Sequence, residues 1–122
     1  MTNFTPSQFP DPLEAHRRKI RLLNDLLRET FITGRVVLTS GIRSLTEQQQ
    51  SEAITAVREF SNFTKDNDPH GEHDFGAILL KGGTKIFWKI DCFDKSMQWA
   101  SANPANEAIT ARVLTIMLTD EW

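Results

Sequence analysis

Residues 75–91, FGAILLKGGTKIFWKID, decide how this chain folds. Two runs rich in β-branched and aromatic residues flank Gly82-Gly83. A Gly-Gly pair favours a two-residue hairpin, because the turns that match strand twist need positive φ. The stretch therefore predicts antiparallel strands over 75–81 and 84–91. That turn sets Lys81 against Thr84, Leu79 against Ile86, Ala77 against Trp88 and Phe75 against Ile90. This mostly apolar face is assigned to the core. The other face sets Leu80 against Lys85, Ile78 against Phe87, Gly76 against Lys89 and Asp74 against Asp91.

Two expectations follow from that register. Ile78, Leu80 and Phe87, rimmed by Lys85, form an apolar patch suited to an interface, unless another segment covers it. Asp74 and Asp91 stand opposite each other, and like charges so placed destabilise a sheet. Lys89 is the simple remedy. A divalent ion held by Asp74, Asp91 and one of Glu72 or Asp68 is the sharper one. No other cofactor is expected.

The hairpin is entered through DNDPHGEHDFG, residues 66–76, which holds four carboxylates and two of the three histidines. Asp66, Asp68 and Gly71 imitate the start of a calcium loop. His70 at its fifth position and Ala77 at its twelfth break the pattern. His70 and His73 are spaced like zinc ligands, but one cysteine and no third partner argue against structural zinc. His73 beside Glu72 is a candidate general base. Catalytic candidates are thus Asp74, Asp91, His73 and Lys89. Lys89-Ile90-Asp91 reverses the order of the acid-x-Lys triplet of metal nucleases. Cys92 reads as a small buried thiol more readily than as a nucleophile.

Outward from the hairpin, Asp11-Pro12 with Glu14 reads as a capped helix start. Leu13, Ile20, Leu23, Leu27 and Phe31, widened by Leu26, recur at helical spacing, with Gly34 as the stop. Arg17, Arg18, Lys19 and Arg21 read as its solvated face. A strand is predicted over 35–40, and a helix capped by Thr46 and Gln49 runs to about Ser61. A final strand spans 112–119, after a polar connection with one helical turn capped by Asn103. Trp99 in that connection is either plugged into the core or presented as a binding anchor, and Trp122 poses the same choice. The order α-β-α-β-β-β predicts an α+β fold: a mostly antiparallel four-stranded sheet with two helices on one face. Residues 1–10 read as a flexible arm and 11–122 as a single domain.

A net charge of −2 provides no general attraction for nucleic acid. The charge is uneven: +2 over residues 1–35, balanced over 36–65, and −4 over 66–122. One cysteine fits a reducing compartment, and no apolar run is long enough to span a membrane. The start of the chain lacks signal-peptide features, so a cytoplasmic location is expected.

Asn24-Asp25, Asp66-Asn67-Asp68-Pro69 leading to Glu72-His73-Asp74-Phe75-Gly76, Trp88-Lys89-Ile90-Asp91 with Phe93-Asp94, and Arg112 through Leu118 together resemble the bacterial domain-of-unknown-function family numbered 3768. The likeness runs from about Ile20 to Trp122. Phe93 after Cys92 stands where an aromatic pair is expected. The family brings no catalytic residues. It implies a small accessory protein of Proteobacteria, plasmids and phages. The expectation is a macromolecule-binding protein from a mobile element. One form is an inhibitor of a host defence system, of anti-CRISPR or anti-restriction type, whose acidic loop mimics phosphate. Its partner would be a protein, such as a nucleic-acid-binding defence complex, with Ile78, Leu80, Phe87, Lys85 and Trp99 in contact. The alternatives are a metal-dependent hydrolase or nuclease built on the acidic turn with Asp91, and a purely structural module.

Overall fold

The computed structural model describes residues 11–122; the expected arm at 1–10 lies outside them. Helix α1 (Pro12–Thr30) starts as predicted, with the Asp11 side chain accepting from the Leu13 N–H and Pro12 in the first turn. It stops earlier than the glycine suggested. Phe31 itself adopts the left-handed conformation at φ 62° and closes the helix onto the Leu27 carbonyl. Strand β1 (Arg35–Leu38), a short helix α2 (Ser40–Arg43) and helix α3 (Glu47–Arg58) follow. The Thr46–Gln49 capping box is formed in both directions. Strands β2 (Phe75–Leu79), β3 (Lys85–Phe93) and β4 (Ala111–Leu118) complete the sheet.

The fold is α+β with a four-stranded sheet in the order β1-β4-β3-β2. The sheet is mixed rather than mostly antiparallel, because β1 runs parallel to β4. The helices and the loop between α3 and β2 carry the chain away before it returns, and that long connection allows the parallel pairing. Short helix α2 is a further departure from the predicted order. It is capped by Thr39 and buries Ile42 against the core.

The hairpin register differs from the predicted one by a single residue. Phe75 pairs with Lys89, Gly76 with Trp88, Ala77 with Phe87, Ile78 with Ile86 and Leu79 with Lys85. The turn holds three residues, Lys81-Gly82-Gly83, instead of two. The Leu80 N–H donates to the Thr84 carbonyl at 2.8 Å, and Gly83 takes φ +93°. Absorbing Lys81 into the turn moves every β2 side chain to the other face.

Core packing explains this choice. Trp88 is fully buried, and its indole lies where a side chain on Gly76 would stand: a Cβ there would come within 2.2 Å of Nε1. In the two-residue register Trp88 would face Ala77 and its methyl group. The core then gathers Leu27, Ile42, Val57, Leu80, Ile86, Trp88, Leu114 and Ile116 beneath the helices. The strand alternation leaves Phe75, Ala77, Leu79, Lys85, Phe87, Lys89 and Asp91 on the opposite face. Among the described residues, no helix is long and apolar enough to cross a membrane.

Candidate functional site

The register undoes the paired-carboxylate site. Asp74 precedes Gly76 by two and shares the helix-side face, where its carbonyl accepts from the Ile90 N–H at 2.8 Å. Asp91 lies on the opposite face and is bridged by Lys89 at 2.9 Å. Asp74, Asp91 and Lys89 therefore do not share a cluster. Among the described residues, no three His, Cys, Asp or Glu side chains are grouped to hold a metal ion, so Asp68, Glu72, Asp74 and Asp91 do not form the expected set.

The acidic turn is instead docked onto α1. The Asp68 carboxylate accepts from the backbone N–H groups of Glu72 and His73, at 3.1 and 3.2 Å. His73 sits at φ 54°, a left-handed conformation that a side chain seldom adopts without compensation. Its compensations are visible. Nδ1 lies 2.8 Å from the Asp25 carboxylate, Nε2 lies 3.5 Å from Asp68, and the ring stacks on Phe63 at 3.6 Å between centroids. Both ring nitrogens face carboxylates, which leaves neither directed at a substrate proton. The arrangement suits a clamp better than a general base. Arg21 donates to the Gly71 carbonyl at 2.8 Å and Asn24 to the Glu72 carbonyl at 2.9 Å, so α1 grips the turn at three points.

Beneath the clamp lies Arg28, only 2% exposed. Its Nη1 donates to the carbonyls of Val57 and Phe60 at 2.9 Å and of Arg58 at 3.3 Å. Those are the terminal carbonyls of α3, where a cation is favoured. Nη2 pairs with Asp25 at 3.2 Å, and the guanidinium lies over Phe63 and Trp88. Sequence reading quoted Asn24-Asp25 for the family likeness but gave Asn24, Asp25 and Arg28 no structural role. The available signal was polar residues at 24 and 28 within the Ile20–Leu27 stripe, where a surface helix should be apolar.

Asp74 itself stays at the margin. Loss of hydration raises its carboxyl above the ordinary aspartate value, and the neighbouring Asp68 and Asp91 charges add to the rise, against a backbone hydrogen bond and His70. A raised carboxyl disfavours the folded state once ionised, and that penalty fades as pH falls through the folded value. Asp74→Asn is therefore expected to leave the melting temperature unchanged or slightly higher at pH 7, with the difference vanishing near pH 3. Thermal unfolding at the two pH values checks this. A marked loss of stability at pH 7 would contradict it.

The same burial logic divides the predicted interface patch. Leu80 is in the core, whereas Ile78 is half-buried against it and lines a hollow with Leu79, Lys85 and Phe87. Phe87 does lie on the open face. It meets Phe75 and Trp122 at centroid distances of 5.2 and 5.5 Å, and Lys89 stands 6.0 Å above the Trp122 ring. Lys85 is on that face too. Trp99 is 72% exposed, presented rather than plugged, on the loop beyond the far end of β3. Cys92 is half-buried, and burial pushes its thiol up, away from a reactive thiolate.

The feature that sequence reading missed is the free edge of β2. The strand is outermost in the sheet. Its even-numbered positions bond to β3, as Leu80 and Asp74 do, so Phe75, Ala77 and Leu79 aim their N–H and C=O groups off the edge. The next outward N–H on either side is capped: that of His73 by Asp68, and that of Lys81 by the Glu52 carboxylate at 2.8 Å. Between these caps, no partner among the described residues meets the three outward positions. Leu79 is 67% exposed beside them. No proline, charge or bulge interrupts this strand, although exposed edges are commonly protected by such devices.

A family model described as "Protein of unknown function (DUF3768)" matches residues 38–121. The chain belongs to that family. The matched range covers α2, α3, the acidic turn and strands β2, β3 and β4, and leaves β1 up to Val37 and the Asn24-Asp25 grip on α1 outside it. No curated protein and no solved structure matches the chain.

Proposed function

We propose that this is a binding protein that takes an extended segment of a partner protein along the free edge of β2. The reading rests on one observation: three consecutive outward backbone positions, Phe75, Ala77 and Leu79, left open between two side-chain caps. Strand addition supplies affinity through main-chain hydrogen bonds and specificity through alternate side chains. A segment of about five residues would fill the opening. Its alternate side chains would meet Phe75, Ala77 and Leu79 on the open face, within reach of Phe87 and Trp122. Lys81 and Lys85 both stand at the Leu79 end of the edge and Asp74 at the other, which favours a partner strand that is apolar with an acid at the end that meets the lysines. An inhibitor of a host defence complex, the form expected from the sequence, would use this edge. The acidic turn then serves by holding His73 and closing one end of it.

Selection of displayed random peptides on the immobilised protein tests this. Extended apolar peptides with an acid at the end that meets Lys81 and Lys85 are expected. Their binding should be lost in Ala77→Pro, which removes an outward N–H that the β3 ladder does not use. Leu79→Lys should weaken it about tenfold or more. Peptides that bind Ala77→Pro as well as the parent would refute edge addition.

A further inference from the structure

At the opposite end of the sheet from Trp122, a groove of about 430 Å³ opens between the start of β1 and the loops on either side of residues 95 and 110. Three cations line it: Arg35, Lys95 and Arg112. Arg112 is 6% exposed. Its Nε donates to Asn24 at 2.8 Å and its Nη2 to the Pro104 carbonyl, while Nη1 has no acceptor among the described residues. Among the described residues, none of the three cations has a carboxylate within ion-pair range, and Glu107 lines an adjoining hollow together with Lys95 and Arg112. A buried guanidinium without a counter-charge is costly. It is also a preformed fork for a planar or tetrahedral oxyanion.

The surroundings hold this groove in shape. Thr110 is buried and bonds to Ser101 at 2.7 Å and to the carbonyls of Asn103 and Asn106, which fixes the loop that presents the Pro104 carbonyl. Asp94 accepts from Ser96 at 2.7 Å and from the Gln98 N–H at 3.3 Å, and so fixes the loop that carries Lys95. Met97, which also lines the groove, is held at φ 64°. The groove is wider than a single oxyanion needs, leaving room for the body of an ester.

We propose that this groove binds the phosphate group of a small phosphorylated ligand, with Arg112 as the buried fork and Arg35 and Lys95 closing on the same charge. The site is separate from the β2 edge and does not depend on the edge-binding reading.

Calorimetric titration of the purified protein with sodium phosphate and with phenyl phosphate, in buffer matched with chloride, tests it. Saturable binding is expected, tighter for phenyl phosphate and with a dissociation constant below about 1 mM. The double variant Arg35→Ala with Lys95→Ala should weaken it at least about tenfold, and Arg112→Lys, which keeps the charge but loses the fork, should weaken it too. Both surface substitutions leave the core intact, so the double variant decides the matter even if Arg112→Lys fails to fold. Absence of saturation up to about 20 mM, or binding indifferent to the double variant, would overturn the proposal. So would a single-stranded oligonucleotide that binds about a hundredfold tighter than phenyl phosphate through the same residues.

Discussion

Arg28→Ala is expected to cost about 3–5 kcal/mol of stability, the largest loss from any single substitution at the clamp. The arginine joins three carbonyls at the end of α3, the Asp25 carboxylate, and the faces of Phe63 and Trp88. Removal leaves those carbonyls without their donor and Asp25 with only His73, in a region water enters poorly. It also vacates space beside Trp88. For a domain of this size the loss should lower the melting temperature by on the order of 10–20 °C. Arg28→Lys should recover only a part, because an ammonium cannot span three carbonyls and a carboxylate as the fork does. Thermal unfolding of the three proteins checks this. A melting temperature within a few degrees of the parent for Arg28→Ala would show that Arg28 does not hold α1 to α3.

The second large effect belongs to Gly76. A methyl group there would stand 2.2 Å from Trp88 Nε1 and 2.6 Å from its Cε2. Trp88 has nowhere to retreat, with Phe60 and Phe63 edge-on against it at 5.5 and 6.2 Å and Arg28 over its face. Overpacking of this kind costs about 1–3 kcal/mol when neighbours can yield, and more when they cannot. Gly76→Ala is therefore expected to destabilise by about 3 kcal/mol or more. It should also blue- or red-shift the Trp88 emission, which chemical denaturation followed by fluorescence reads in one experiment. An unchanged midpoint would mean that the indole does not lie on Gly76, and the register argument would fall with it.

That register also separates what the sequence made legible from what it did not. Helix α1, the Thr46 capping box and the four strands follow from periodicity and turn chemistry, and all are present. The inward residues of β3, Ile86, Trp88 and Ile90, were identified correctly. The β2 side was not, because Gly-Gly is compatible with a two-residue turn and with the glycine end of a three-residue one. Only packing decides between them, and the deciding contact joins Gly76 to a residue twelve positions away. The slip carried Leu80 into the core, set Ile78 half-buried against it and separated Asp74 from Asp91. The parallel β1–β4 pair was out of reach for a similar reason: the alternation of a strand does not say which neighbour it will take.

The acidic turn teaches a related lesson. Its composition suggested chemistry, but the partners that consume its charges come from α1, nearly fifty residues earlier. His73 meets Asp25, and Asn24 and Arg21 hold the adjoining carbonyls. Density of polar groups located the turn; only the fold shows that Asp68 and His73 turn inward while Asp66, His70 and Asp74 stay exposed. The open edge of β2 was equally invisible, since it depends on strand order and on two caps, Asp68 and Glu52, from different segments.

Residue-resolved amide hydrogen exchange on the dilute protein tests the open edge most directly. Gly76, Ile78 and Leu80, which bond to β3, should be protected strongly, and Phe75, Ala77 and Leu79 between them should exchange orders of magnitude faster. His73 and Lys81, capped by carboxylates, should fall in between. Fast exchange confined to those three alternate amides is the result predicted here. Protection of Phe75, Ala77 and Leu79, or the reverse alternation that a two-residue Gly82-Gly83 turn would impose, would contradict the edge and with it the proposed mode of binding.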